Sequence, residues 1–254
     1  MSDPTLAAVI LAAGSGARLL PLTISRPKAL CPVNNIALVD HAIEYVSAVS
    51  KEIAVNAWSF HEQMVTHLNG RVHVSVEEGE ALGTAGALGY LKPWINGRDL
   101  IIHNADSWHT MDLGRFAENW DRQRPRLLVI EEKINPDFGN WRFCGISLMP
   151  WSIVSKFEAK PTGLWEVCWR DLWAKNELEL ATIDGMYFDC GTPAEYLAAN
   201  LAANNGKSVI GQGAVVEGEI ERCVVWPNGR VGADERLVEV IRLGKDITVD
   251  ASDV

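Results

Sequence analysis

LAAVILAAGSGARLLPLTISRPKAL, residues 6–30, decides how this chain is read. Its first six residues are an unbroken apolar run, the pattern of a first strand buried in a parallel sheet. Gly14 and Gly16 open the backbone directly behind that strand, and Arg18, Arg26 and Lys28 follow with no acid between them. A buried strand that ends in a flexible, amide-rich, cationic loop is a device for holding a polyphosphate.

Outward from this stretch, β-rich runs at 6–12, 53–57, 72–76, 100–103 and 127–131 alternate with helical patterns around 39–49, 60–68, 85–91 and 113–120. That alternation predicts βαβ units and a mostly parallel sheet. A further strand is expected at 143–148, then helices near 151–157 and 164–175. Trp165, Trp169 and Trp173 fall on one face of the last helix; such a stripe packs on a core, its other use being the wall of a sugar pocket. After Asn205 and Gly206 the helical period stops. Val225, Val231 and Leu237 lie six apart, as do Val209 and Val215. Six-residue spacing of aliphatics with glycines at the turns predicts about two coils of a parallel β-helix, with an irregular β meander as the alternative. The expected division is therefore a domain at 1–205 and a tail at 206–254.

Composition narrows the function. A net charge of −10 argues against a nucleic-acid surface, so the cations at 18–28 are local and suit a small anionic ligand. No apolar run approaches the ~18–20 residues that cross a membrane. The N-terminal apolar segment lacks a basic flank and runs into the loop, so it does not read as a signal peptide. Cys31, Cys144, Cys168, Cys190 and Cys223 are scattered without a CxxC pair, which fits a reducing, cytoplasmic compartment and no zinc site.

Two familiar phosphate motifs fail. A dinucleotide fingerprint needs a third glycine where Leu19 stands, and a Walker loop ending at Gly206-Lys207-Ser208 has Leu201 in place of its leading glycine. The block at 11–30, with its glycines, Arg18, Pro27-Lys28 and Pro32, instead resembles the signature of the sugar-1-phosphate nucleotidyltransferases, the NDP-sugar pyrophosphorylases. Three more segments match that family in order. Residues 78–86, EGEALGTAG, resemble its base-recognition loop. Asn104-Ala105-Asp106 resembles its Asn-Gly-Asp metal motif with alanine for glycine, and Phe188-Asp189-Cys190-Gly191-Thr192-Pro193 resembles its second-metal segment.

The resemblance implies a Rossmann-like α/β fold, a mixed and mostly parallel sheet flanked by helices, with a short left-handed β-helix-like tail. It implies a reaction in which a sugar-1-phosphate attacks the α-phosphate of an NTP and pyrophosphate leaves. Arg18 would hold the β- and γ-phosphates, and Lys28 the α-phosphate or the incoming sugar phosphate. Leu11 and Ala12 would place the base, and the amides of Ala13, Gly14, Ser15 and Gly16 would line the nucleotide, with Glu80, Gly83, Thr84, Gly86 and Asn104 completing its site. Asp106 and Asp189 would hold Mg²⁺. The Glu-Lys hairpin with which relatives grip the sugar phosphate is shortened here, leaving Lys133, Asn140 and Gly145 as candidates; the Glu158–Lys160 segment falls too late in the chain. Uridylyltransferases acting on N-acetylglucosamine-1-phosphate carry a glutamine where Ala81 stands, and the run from Leu82 to Ala87 is more similar to mannose- and heptose-1-phosphate guanylyltransferases. Asn56-Ala57-Trp58 and Phe143-Cys144-Gly145-Ile146-Ser147 are similar to N-acetylmuramate-1-phosphate uridylyltransferase. GTP is slightly favoured over UTP. The histidines read as surface or packing residues, and Asp112, Glu118 and Asp121 as a solvated helix face. Relatives associate through such tails, which implies a homo-oligomer. The shortened hairpin and Ala105 leave one alternative, a catalytically silent nucleotide-sugar sensor or regulatory subunit.

Overall fold

Both faces of the first strand, β1 (Ala7–Leu11), are covered in the computed structural model, which describes residues 6–251. Ala8 and Ile10 pack with Val39, Ala42 and Val46 of helix α1 (Leu38–Ser47) and with Met64 and Leu68 of α2 (His61–Leu68). Ala7 and Val9 point the other way, into a second cluster with Ala85 and Leu88 of α3 (Gly83–Tyr90) and Ile95 of α4 (Lys92–Ile95). Alternate residues of one strand thus fill two apolar layers, which is why the run has no polar positions.

A hairpin, β2 (Pro32–Val33) with β3 (Ile36–Ala37), leads into α1. The main sheet continues with β4 (Glu52–Ala57), β5 (His73–Val76) and β6 (Leu100–Asn104). After a short β7 (Ser107–His109) come β8 (Arg126–Glu131), β9 (Trp141–Met149) and β10 (Glu179–Ala181). The strand order is β10-β8-β9-β6-β1-β4-β5, with only β9 antiparallel to its neighbours. The chain runs from β1 outward to β4 and β5, then returns to the opposite side of β1 as β6. That reversal opens a crevice at the carboxyl ends of β1 and β6, the usual ligand position in such sheets. Outside the sheet, β11 (Tyr187–Asp189) pairs antiparallel with β7 and sets Asp189 opposite Ser107.

Two predicted helices are shorter than their sequence pattern. The 113–120 segment is helical only over α5 (Leu113–Ala117). Asp112 caps its start by accepting the amides of Gly114 and Arg115 at 2.9 and 3.3 Å, so this acid is a cap and not part of a solvated face. The buried Arg126 ends it by donating to the carbonyls of Phe116 and Glu118 at 2.8 and 2.7 Å. The 151–157 segment keeps one turn, α6 (Trp151–Val154), and 164–175 divides into a π-turn (Trp165–Trp169) and α7 (Arg170–Ala174). The tryptophan stripe is core-facing only in part: Trp169 is buried and meets Phe143 at 4.8 Å between ring centroids, while Trp165 and Trp173 are exposed and flank the buried Phe138 at 5.6 and 5.5 Å.

Beyond α8 (Pro193–Ala203), the tail coils. Strand β12 (Val209–Ile210) stacks parallel on β15 (Val224–Val225) and β15 on β18 (Val240–Leu243). A second face pairs β13 (Val215–Val216) with β16 (Arg230–Val231), and a third pairs β14 (Glu219–Glu221) with β17 (Arg236–Val238). An antiparallel last strand, β19 (Ile247–Asp250), closes the stack on β18. Val209, Val224, Trp226 and Ile241 share a buried cluster with Tyr196 and Leu197 of α8 and with Leu19, Leu22 and Val33. The expected division at 205/206 falls between α8 and β12, but the apolar interior runs across it.

Candidate active site

A cleft of about 380 Å³ lies at the β1–β6 crevice. Leu11, Ala12, Ala13, Gly14 and Ser15 line one side, Gly83 and Thr84 another, and Lys28, Asn104 and Asp106 the floor. Leu11 pairs with Asn104 across the strands, and its carbonyl accepts the Ala105 amide at 2.9 Å. The strand ends therefore deliver both segments to one place without side-chain adjustment.

The remaining predicted residues sit around this cleft. Gly16 lies just behind it, its carbonyl accepting the Thr23 hydroxyl at 2.9 Å. Glu80 is exposed on its loop. Gly86 faces away: a side chain there would meet the Lys160 carbonyl, so this glycine lets α3 pack on the 158–162 strap. Gly145 (φ +75°) lies beneath Asn104, where a Cβ would collide with Ser107 and Asn104. Lys133 and Asn140 are exposed in the β8–β9 hairpin loop, where the Asn140 carbonyl accepts the Glu132 amide at 2.8 Å.

Charge concentrates on Lys28. Its buried ammonium is 2.6 Å from Asp106 and 3.9 Å from Asp189. The β7–β11 ribbon brings these distant aspartates together: Asp106 precedes β7, Asp189 ends β11, and the Cys190 amide donates to the Asp106 carbonyl at 2.9 Å. Burial pushes the Asp189 carboxyl above the ordinary range, the Asp106 charge adds to the rise, and Lys28 opposes it. Arg18, largely exposed, stands 3.9 Å from Asp189. Two hard carboxylates within reach of one cation fit a divalent ion that takes its remaining ligands from phosphate and water, as Mg²⁺ does.

Several contributors had no site role assigned from sequence, although Asn56 and Trp58 lie in a segment quoted for its resemblance. Asn56, at the end of β4, accepts the Ala12 amide at 2.6 Å and donates to Glu77 at 2.7 Å. The other Glu77 oxygen accepts the Leu82 amide at 2.8 Å, so one buried amide–acid pair ties the glycine loop to the second loop. An acid directly after the alternating strand 72–76 was the available signal. The Trp58 indole donates to the Gly79 carbonyl at 2.8 Å and lines the cleft. Arg142, on β9, reaches Asp189 at 3.5 Å and Glu195 at 3.2 Å. Arg26, by contrast, is taken up by the tail: its guanidinium lies over the Trp226 ring at 4.5 Å.

A family model described as nucleotidyl transferase matches residues 7–164, which includes the glycine loop, Lys28 and Asp106. The chain belongs to the nucleotidyl transferase family. Relatives within reach of this nucleotidyl transferase chain include the N-acetylmuramate alpha-1-phosphate uridylyltransferase of Caulobacter vibrioides, 34% identical over 49% of the chain and 57% of the relative. The catalytic subunit beta of mannose-1-phosphate guanylyltransferase from Dictyostelium discoideum is 25% identical over 79% of the chain and 66% of the relative. The chain thus spans somewhat under two thirds of the length of these relatives. Among solved structures, HddC from Yersinia pseudotuberculosis, complexed with GMP-PN, shares the fold at a TM-score of 0.63 and 18% identity, covering 78% of the chain and all of that protein.

Proposed function

We propose that this nucleotidyl transferase makes an NDP-sugar and pyrophosphate from an NTP and a sugar-1-phosphate. The observation that carries the reading is Lys28, buried between Asp106 and Asp189 at the floor of a cleft walled by the glycine loop. A phosphate oxygen of the sugar-1-phosphate attacks the α-phosphorus, the bond to the β-phosphate oxygen breaks, and pyrophosphate departs. Both reactants are polyanions, so positioning and charge neutralisation are most of the catalysis. The amides of Ala13, Gly14 and Ser15 hold the nucleotide phosphates. Lys28 turns from the aspartates to the α-phosphate, and Arg18 neutralises the charge that collects on pyrophosphate. Mg²⁺, when held by Asp106 and Asp189, supplies further neutralisation of phosphate oxygens.

GTP is the favoured nucleotide and UTP the second, supported by the loop containing Ala81, Gly83 and Thr84 and by the names of the relatives. Among the described residues no helix is long and apolar enough to cross a membrane. All five cysteines are free and buried, which supports a cytoplasmic setting. The tail remains our candidate for self-association, through coil faces where Ile210 and Val215 are exposed.

The test is a matrix of NTPs against sugar-1-phosphates with Mg²⁺, read as pyrophosphate release. Turnover with at least one pair is expected, and binding of nucleotide sugars without any turnover would overturn the reading. Within that matrix Arg142 is assigned to the sugar phosphate, since it is the cation on β9 that reaches the Asp189 edge. Arg142→Gln is expected to raise the KM for the sugar-1-phosphate about tenfold with the NTP value little changed. A larger rise in Lys133→Ala would return that role to the hairpin lysine.

A further inference from the structure

His103, in β6, and His109, at the end of β7, are fully buried on either side of the turn that carries Asp106. Their Nε2 atoms are 3.1 Å apart. The outer partners determine which nitrogen carries each proton. His103 Nδ1 is 2.7 Å from the Asn104 carbonyl, which can only accept, so Nδ1 bears hydrogen and Nε2 a lone pair. His109 Nδ1 accepts the Met111 amide at 3.1 Å, so its hydrogen is on Nε2. The inner contact is then His109 Nε2–H donating to His103 Nε2. Every nitrogen of the pair is satisfied with both rings neutral. A proton added to either ring would set N–H against N–H. Burial lowers the pKa of His103 to about 4 and that of His109 to about 3, in the same direction. Tyr45 of α1 covers the pair, its ring 4.1 Å from that of His109.

We propose that His103 and His109 form a neutral imidazole staple that joins the end of β6 to the end of β7 across the Asn104–Ala105–Asp106 turn and so positions Asp106 against Lys28 and Asp189. The inference rests on the nucleotidyl-transfer reading for its catalytic consequence, but not for its geometry. The chain of donors runs in one direction, from the Met111 amide through both rings to the Asn104 carbonyl. The last carbonyl of β6 and the Met111 amide, two residues past the end of β7, are thereby held by the same two side chains. Neither ring lines the cleft, so both are positioning residues.

Long-range ¹H–¹⁵N correlation spectra of the full chain at neutral pH test the geometry. Hydrogen on Nδ1 of His103 and on Nε2 of His109 is expected; the opposite tautomers, or a charged ring, would overturn the staple. Steady-state kinetics test the positioning. His109→Phe fills the space but breaks both bonds, and kcat is expected to fall about tenfold with the NTP KM little changed. His109→Gln, whose amide can still donate to His103, is expected to recover most of that loss. Wild-type kcat in both variants, or equal losses in both, would overturn the role. Should the phenylalanine variant fail to fold, wild-type kcat in His109→Gln together with the expected tautomers supports the staple, and a full loss overturns it. A wild-type chain without turnover would sink the nucleotidyl-transfer reading alone; the expected tautomers would then support the staple and any others overturn it.

Discussion

Asp106→Asn is expected to lower kcat by about three orders of magnitude while leaving the fold intact. The substitution keeps the shape of the side chain and removes its charge, so the loss reports on electrostatics and not on packing. Lys28 retains Asp189 at 3.9 Å as a partner. Asp106 is also one of the charges that raise the pKa of Asp189, so its removal lets that carboxyl ionise more readily. This relief offsets part of the lost Lys28–Asp106 ion pair, and the asparagine oxygen can still accept from Lys28, so only a small fall in melting temperature is expected. Pyrophosphate release at saturating substrates gives the rate, and a thermal melt controls for folding. Full activity in this variant would remove Asp106 from the mechanism.

Trp226→Ala is expected to destabilise the chain by about 3–5 kcal/mol, the usual cost of truncating a large buried aromatic. The ring is 5% exposed and fills the junction between the tail and the catalytic unit. Its indole donates to the Tyr196 hydroxyl at 3.0 Å, and that hydroxyl donates in turn to the Pro32 carbonyl. Truncation deprives Arg26 of its aromatic partner as well, a contact worth about 1–2 kcal/mol where it is shielded from water. Because Arg26 lies two residues before Lys28, a lower kcat should accompany the lower stability. Urea unfolding followed by circular dichroism measures the first effect, and Trp226→Phe should restore part of it. An unchanged midpoint in Trp226→Ala would show that the tail is merely appended.

Much of this architecture was legible because it rests on local pattern. The Leu6–Leu11 run and the strands near 53–57 and 100–103 are buried on both faces, and such strands announce themselves by continuous apolarity. The glycine loop, Lys28 and the two aspartates were legible as a resemblance. What stayed hidden depends on partners distant in sequence. Nothing near Asn56 or Glu77 indicates that one bonds the other while each holds a different loop. Arg142 reads as an ordinary strand residue until β11 and α8 bring Asp189 and Glu195 to it. Asp112 looked like a solvated acid, yet its capping role depends on where α5 begins. The histidine pair was read as packing, and burial is correct, but six-residue spacing across a turn carries no hydrogen-bond pattern of its own.

The β7–β11 ribbon also bears on the order in which the molecule acquires its chemistry. Strands β1, β4 and β5 and their helices can associate through contacts close in sequence, and with them the glycine loop. Asp189 reaches Asp106 only after the chain has passed β10 and turned back to pair with Ser107, a contact of long sequence separation. Such contacts close late, because the loop entropy is lost before the pairing compensates for it. A nascent or refolding chain would therefore pass through a form with its glycine loop built and its second carboxylate still absent, which under the proposed function could hold an NTP before it could turn one over.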